Sequence, residues 1–66
     1  MKIDSLKIKM FMLERNLNNT RLAEKMGTSR QWLGMILDRG HATMNYVNKI
    51  AKTLEVEPIE IVILED

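Results

Sequence analysis

Cysteine is absent from the 66-residue chain, and histidine, proline, tryptophan, tyrosine and phenylalanine occur once each. Without cysteine there is no disulfide and no thiolate metal site, and one histidine supplies neither a zinc site nor a Ser-His-Asp or Cys-His catalytic set. The three glycines form no glycine-rich phosphate loop. These shortages argue against the common enzyme classes, and we expect no catalysis, no cofactor and no metal.

Long apolar runs are also missing. No segment approaches the ~20 apolar residues that span a bilayer. The first ten residues, MKIDSLKIKM, carry charges where a signal peptide needs an apolar stretch. We therefore expect a cytoplasmic protein without a membrane partner. The length suits one small domain over residues 1–66, which buries only ~60% of its unfolded surface, so dimerisation would add stability.

The net charge is only +1, but the charges are unevenly distributed. Residues 1–52 carry all ten Lys and Arg against four Asp and Glu, a net charge of +6, whereas residues 53–66 carry five Asp and Glu and no Lys or Arg, a net charge of −5. A basic body with an acidic tail fits a protein that binds phosphate on one side. The alternative is that both charge runs are ordinary solvated surfaces.

The central stretch, LNNTRLAEKMGTSRQWLGMI, predicts two short helices joined by a tight turn. Asn18 caps the first helix, and Gly27 reaches the left-handed backbone conformation that the turn needs. Thr28-Ser29 offers a second cap. Because helices this short do not stand alone, their apolar stripes must pack together. These stripes consist of Leu22, Ala23 and Met26 in the first helix and Leu33, Ile36 and Leu37 in the second.

Apolar periodicity and capping residues place four helices along the chain, at about 5–15, 19–26, 30–38 and 44–54. We expect residues 1–3 to be frayed and 38–42 to form a loop. The last segment is ambiguous, because Ile and Val at 59–64 favour a strand, whereas Glu57-Pro58 is typical of a helix start.

Ala23, Gly27, Leu33 and Ile36 have the spacing of a helix-turn-helix. With LAEKMG before it and KIAKTLEVEPIEI after it, the segment GTSRQWLGMI resembles the phage repressor and Cro class (XRE type) of DNA-binding domains, over roughly residues 6–62. The resemblance implies an all-α, compact five-helix, lambda-repressor-like domain, with a short fifth helix at about 58–64. It also implies a sequence-specific transcriptional regulator, a repressor that binds a two-fold symmetric operator in double-stranded DNA as a homodimer. A phage or other mobile-element origin fits the same resemblance.

The chain departs from that family pattern at three places. Many members pair an Arg at the position of Met12 with a Glu at the position of Leu37, and here both residues are apolar. Replacing both charges by packed apolar groups is tolerated, so we expect Met12 to contact Leu37. Gly40 comes one residue later than usual, which predicts a longer loop, and Glu55 stands where the family often has Gly.

The resemblance assigns roles to residues at matching positions. The N-terminal turn of the second motif helix would enter the major groove, where Arg suits guanine, Gln suits adenine and an apolar side chain suits the thymine methyl. The expected base-reading residues are Ser29, Arg30, Gln31 and Met35. The expected DNA-backbone contacts are Asn18, Asn19, Arg21, Arg39, Thr43 and Asn45, with His41 a weaker candidate. Met35 could equally belong to the edge of the core, and Trp32 could lie between helices or against a sugar-phosphate chain.

The C-terminal segment is too apolar for one side of a small core, which suggests a surface that binds a partner. The expected dimer interface is Ile59, Ile61, Val62, Ile63 and Leu64. A different class of function uses the same feature: an antitoxin-like or anti-repressor module of this fold could bind another protein through its exposed apolar surface.

Overall fold

The helices begin at capping side chains. The computed structural model describes residues 1–64 and contains α1 (Ser5–Glu14), α2 (Asn19–Met26), α3 (Arg30–Arg39) and α4 (Met44–Leu54), followed by a 3-10 turn at Pro58–Glu60. Each capping side-chain oxygen accepts a hydrogen bond of 2.8 to 3.2 Å from the backbone N–H three residues on, which satisfies one donor that the first turn leaves unpaired. The caps are Asp4, Asn18, Ser29 and Thr43.

Residues in the left-handed conformation terminate three of the helices. Gly27 (φ 72°), Gly40 (φ 74°) and Glu55 (φ 61°) follow α2, α3 and α4 directly, and Asn16 (φ 55°) lies just beyond α1. Helix α3 continues to Arg39 and ends at Gly40, so the prediction that 38 and 39 belong to a loop is wrong. The residue expected to lengthen the loop instead extends the last turn of the helix.

The prediction of a fifth helix at 58–64 is wrong. Only Pro58–Glu60 turns, and Val62 then forms an isolated antiparallel bridge with Ile3. The β-branched residues Val62 and Ile63 favour an extended backbone, and the N-terminal segment pairs with them through the bridge from Ile3 to Val62 and the bond from Ile63 N to Lys2 O. The described chain therefore has four α-helices and no strand, and none of these helices is long and apolar enough to cross a membrane.

The expectation that residues 1–3 are frayed is also wrong. They lie extended between the loop after α3 and the C-terminal segment, and the Ile3 side chain is only 3% exposed. Burial of this side chain, together with backbone pairing on both sides, holds the segment in place. The backbone bonds run from Ile3 N to Gly40 O (2.9 Å), Ala42 N to Met1 O (3.0 Å), Asp4 N to Ile61 O (2.8 Å) and Ile63 N to Lys2 O (2.9 Å).

One hydrophobic core joins all four helices and the two terminal segments. Met12 (4% exposed) and Leu37 (3% exposed) both belong to it, so the positions where the family often has charges are apolar and buried. The Ser5 hydroxyl donates to the Leu37 carbonyl oxygen at 2.6 Å and fixes the start of α1 against the last turn of α3. The largest of the fully buried side chains are Ile8, Leu22, Leu33, Val47, Ile50, Leu54 and Ile61.

Candidate nucleic-acid interface

A hydrogen-bonded turn sets the angle between α2 and α3. Gly27 N donates to the Glu24 carbonyl (3.2 Å) and Thr28 N to the Ala23 carbonyl (3.0 Å), the pair of bonds that defines a Schellman ending. The left-handed φ of Gly27 makes this turn possible without strain. Beneath it the two helices share one buried surface, formed by Leu22, Ala23, Met26, Leu33, Ile36 and Leu37.

This packing leaves the first turn of α3 and one of its faces in solvent. Ser29, Arg30 and Gln31 are exposed, and Met35 is 47% exposed. The Ser29 oxygen already accepts the hydrogen bond from Trp32 N at 3.0 Å, so its hydroxyl hydrogen remains available to an acceptor. The structure thus brings the four expected base-reading residues to the outer surface of one helix, with Gln31 and Met35 one turn apart.

The beginning of α2 lies beside the middle of α3 at Gly34. A Cβ built on Gly34 would lie 4.0 Å from Nδ2 of Asn19, which is ordinary van der Waals contact. Asn19, an expected phosphate contact, therefore lies beside the helix that carries the expected base-reading residues. A duplex seated on α3 would meet the N-terminal turn of α2 at its edge.

Two expected backbone contacts are also helix caps. The Asn18 Oδ1 accepts from Arg21 N (2.8 Å) and the Thr43 Oγ1 accepts from Tyr46 N (3.2 Å). Each cap keeps a donor, the amide NH₂ of Asn18 and the hydroxyl hydrogen of Thr43, that suits a phosphate oxygen. The side chains of Arg21 and Asn45 are exposed, so they are free to reach an anion without disturbing the fold.

A cleft of about 320 Å³ lies where α3 ends and α4 begins. It brings two expected backbone contacts, Arg39 and Thr43, together with His41 and with Trp32, which is 45% exposed. The indole is thus only partly buried. The full lining is Met1, Trp32, Ile36, Arg39, His41, Ala42, Thr43 and Tyr46.

Met1 and Tyr46 line this cleft although sequence reasoning gave them no site role. Tyr46 lies in the first turn of α4, three residues after the Thr43 cap. This spacing in the sequence could have indicated that Tyr46 lies close to Thr43. Burial raises the pKa of the Tyr46 phenol, and the Thr28 side chain partly offsets the rise, so the group is neutral at physiological pH. Nothing local predicts the place of Met1, because it depends on pairing with Ala42.

The expected dimer interface needs one correction. Ile61 is fully buried and belongs to the core, and Val62 packs against the core while bridging to Ile3. Ile61 therefore offers no surface to a partner. Ile59 (60% exposed), Ile63 (39%) and Leu64 (74%) remain accessible. An apolar groove of about 210 Å³ adjoins them, and its lining is Met1, Met44, Val47, Asn48, Pro58, Ile59, Val62 and Leu64.

Two capped helices, a left-handed glycine turn between them and an exposed polar first turn on the second define a helix-turn-helix domain. The family model for Cro/C1-type helix-turn-helix DNA-binding domains matches residues 7–66, and the chain belongs to this family. The match confirms the resemblance seen in the sequence. No curated protein and no solved structure matches the chain significantly.

Proposed function

We propose that the chain is a sequence-specific transcriptional regulator that reads double-stranded DNA with α3. The observation that carries this proposal is the exposed first turn of α3, fixed by the Gly27 turn and rich in donors, in a chain of a DNA-binding family. Arg30 would pair with guanine O6 and N7, and Gln31 with adenine N6 and N7. Met35 would pack on a thymine methyl, and Ser29 would donate to a base or phosphate oxygen.

Backbone contacts would flank this reading helix and set its register without specifying sequence. Asn18, Asn19 and Arg21 lie at the beginning of α2, and Asn19 lies beside Gly34 of α3. On the other side, the cleft supplies Arg39 and Thr43, and Asn45 follows in the first turn of α4. The two groups would hold phosphates on either edge of the groove.

We take residues 1–66 as one domain that dimerises through its C-terminal surface, which we define as Ile59, Ile63 and Leu64 with the adjoining groove. Three exposed apolar side chains beside an apolar groove are unusual on a small soluble surface and suit a second copy. A two-fold dimer places its α3 helices about one DNA turn apart, which matches an inverted repeat.

The regulator would act by occupying its operator. A bound dimer covers a promoter and blocks polymerase, so repression requires no catalysis, no cofactor and no metal. The regulator would work in the cytoplasm, where its operator is.

The experiment that tests this proposal is a titration of the chain with duplex DNA from upstream of its own gene, beside a random duplex of equal length. We expect the upstream duplex to bind at least tenfold tighter, with affinity for both falling steeply between two salt concentrations because phosphate contacts release counterions. Equal binding of the two duplexes at both salt concentrations would contradict the proposal.

The second candidate function, a protein-interaction module of the same fold, is favoured by the large apolar side chains that remain exposed on α1 and at the C-terminal end. Arg30 and Gln31 discriminate between the two functions. Replacing both by Ala abolishes sequence preference if α3 reads DNA, whereas a protein partner held on an apolar surface is unaffected.

A further inference from the structure

One face of α1 is apolar and has no partner within residues 1–64. Leu6 (72% exposed), Met10 (55%) and Leu13 (70%) follow one another at intervals of four and three residues, so they form a single stripe along the helix. The opposite face carries Ile8 and Met12, which are buried in the core at 0% and 4% exposure. Because that inner face already anchors α1, the outer stripe, here called the α1 stripe, is not needed for folding.

The stripe is self-complementary when it is reversed. Consider two antiparallel α1 helices related by a two-fold axis that passes between their Met10 residues. Leu6 of one copy then lies beside Leu13 of the other, with an offset along the helix axis of about one residue's rise, 1.5 Å. Met10 then meets its own equivalent. We infer that the α1 stripe is a self-association surface, on which a second copy of the chain docks with its own α1 in this antiparallel arrangement.

The charges along one edge of the stripe support a second copy as the occupant. Lys7 and Glu14 are seven residues, or nearly two turns, apart and lie on the same edge of α1. The two-fold axis at Met10 places Lys7 of each copy opposite Glu14 of the other, again within about one residue's rise. The Glu14 side chain is 68% exposed although it also lies 3.6 Å from Arg15, so it remains accessible to the second copy.

The other edge carries Lys9, which lies near its own equivalent across the axis and opposes the contact. Among the described residues Lys7 and Lys9 have no ion-pair partner, so their charges are available to the second copy. This arrangement predicts effects of opposite sign for substitutions at neighbouring positions. Replacing Lys9 by Gln strengthens association, whereas reversing the charge of Lys7 weakens it.

Three side chains offer each copy a few hundred Å² of apolar surface, which is less than the ~800 Å² per partner of a standard stable interface. The contact is therefore weak, with an expected Kd of ~1 mM, and joins molecules that are already concentrated or held close together. It is separate from the C-terminal surface, so a dimer formed there still presents two α1 stripes. This inference does not depend on the chain binding DNA.

The first test follows the amide NMR spectrum of the full chain over a dilution series that brackets ~1 mM. Concentration-dependent shifts at Leu6, Met10 and Leu13 are expected, and Leu13→Glu should abolish them without altering the fold, because the side chain is 70% exposed. Ile59→Asp, on the C-terminal surface, is the matched control and should leave the α1 shifts in place.

The second test is a charge exchange measured by the same dilution series. Lys7→Glu and Glu14→Lys each turn two attractive pairs into repulsive ones and should weaken association about fivefold to tenfold, and the double variant should restore it. Wild-type shifts confined to residues outside α1, unchanged shifts in Leu13→Glu, or a double variant no better than either single variant would overturn the inference.

Discussion

Glu55 occupies a position whose backbone conformation favours glycine. Its φ is 61°, and Glu55 N and Val56 N make the two hydrogen bonds that end α4, to Lys52 O at 3.2 Å and Ala51 O at 2.9 Å. The Schellman ending therefore forms in spite of a Cβ that disfavours it. Asn16 (φ 55°) has the same conformation, but Asn tolerates it better.

Glu55→Gly should raise the free energy of unfolding by about 1 kcal/mol, because the left-handed strain disappears at a helix end where glycine's flexibility costs little. Asn16→Gly is the matched control, and its gain should be smaller. Urea denaturation of the three proteins measures both differences. A Glu55→Gly protein that is less stable than wild type would mean that the Glu55 side chain contributes a contact which outweighs the strain.

A substitution at Gly34 should affect the stability of the fold and DNA binding in opposite directions. Gly34 lies inside α3, where glycine is a poor helix former, and the space for a Cβ is open apart from Asn19 Nδ2 at 4.0 Å. Gly34→Ala should stabilise the fold by about 0.5–1 kcal/mol. If this face of α3 approaches DNA closely, the same methyl group should weaken operator binding.

Thermal denaturation and an operator titration of Gly34→Ala measure the two effects separately. A variant that is more stable and binds DNA as well as wild type would show that Gly34 does not face the duplex at close range.

At the scale of elements, α2 and α4 could be predicted with accurate limits because their signals are local. Each has a capping side chain and a single apolar stripe, and Gly27 marks the end of α2. The terminal segments could not be predicted in this way. Their partners are distant in sequence, since residues 1–4 pair with 40–42 and with 61–63, and a few hydrogen bonds between isolated extended segments leave no periodic pattern.

Ile3 tests how strongly the N-terminal segment is held. Its side chain is 3% exposed within the core, so Ile3→Ala should lower the free energy of unfolding by about 2–4 kcal/mol through lost burial and the cavity left behind. Leu6→Ala, at an apolar position that is 72% exposed, is the control and should change stability by less than about 0.5 kcal/mol.

Chemical denaturation compares the two variants directly. Equal and small effects would indicate that the N-terminal segment contributes little to the stability of the fold.

At the scale of the whole molecule, the exposed residues of the candidate DNA-binding surface could be predicted from the sequence better than those of the C-terminal segment. The helix-turn-helix spacing correctly put Ser29, Arg30 and Gln31 on the surface, because the apolar stripe of α3 determines which side faces outward. The orientation of Ile61 could not be read from the segment itself. Because nearly all its residues are apolar, no alternation of apolar and polar residues indicates which side faces the core. Pairing with residues 2–4 decides which side chains point inward.

Ile59 and Ile61 should therefore respond differently to a charge. Ile59→Asp leaves the core intact, since Ile59 is 60% exposed, and should convert the proposed dimer into a folded monomer. Ile61→Asp buries an unpaired carboxylate at a fully buried site and should unfold the chain. Sedimentation and circular dichroism report assembly and folding respectively. An Ile59→Asp protein that remains dimeric would show that the dimer interface lies outside the C-terminal surface.

The central claim is that α3 reads DNA sequence, and Arg30→Ala tests it most directly. The control is Lys52→Ala, which removes the same charge from an exposed position in α4. Both variants are titrated with the operator and with a random duplex at one salt concentration. The account predicts that Arg30→Ala loses about 1–3 kcal/mol of preference for the operator, while Lys52→Ala keeps the preference of wild type. An Arg30→Ala protein that still prefers the operator as strongly as wild type would contradict the account.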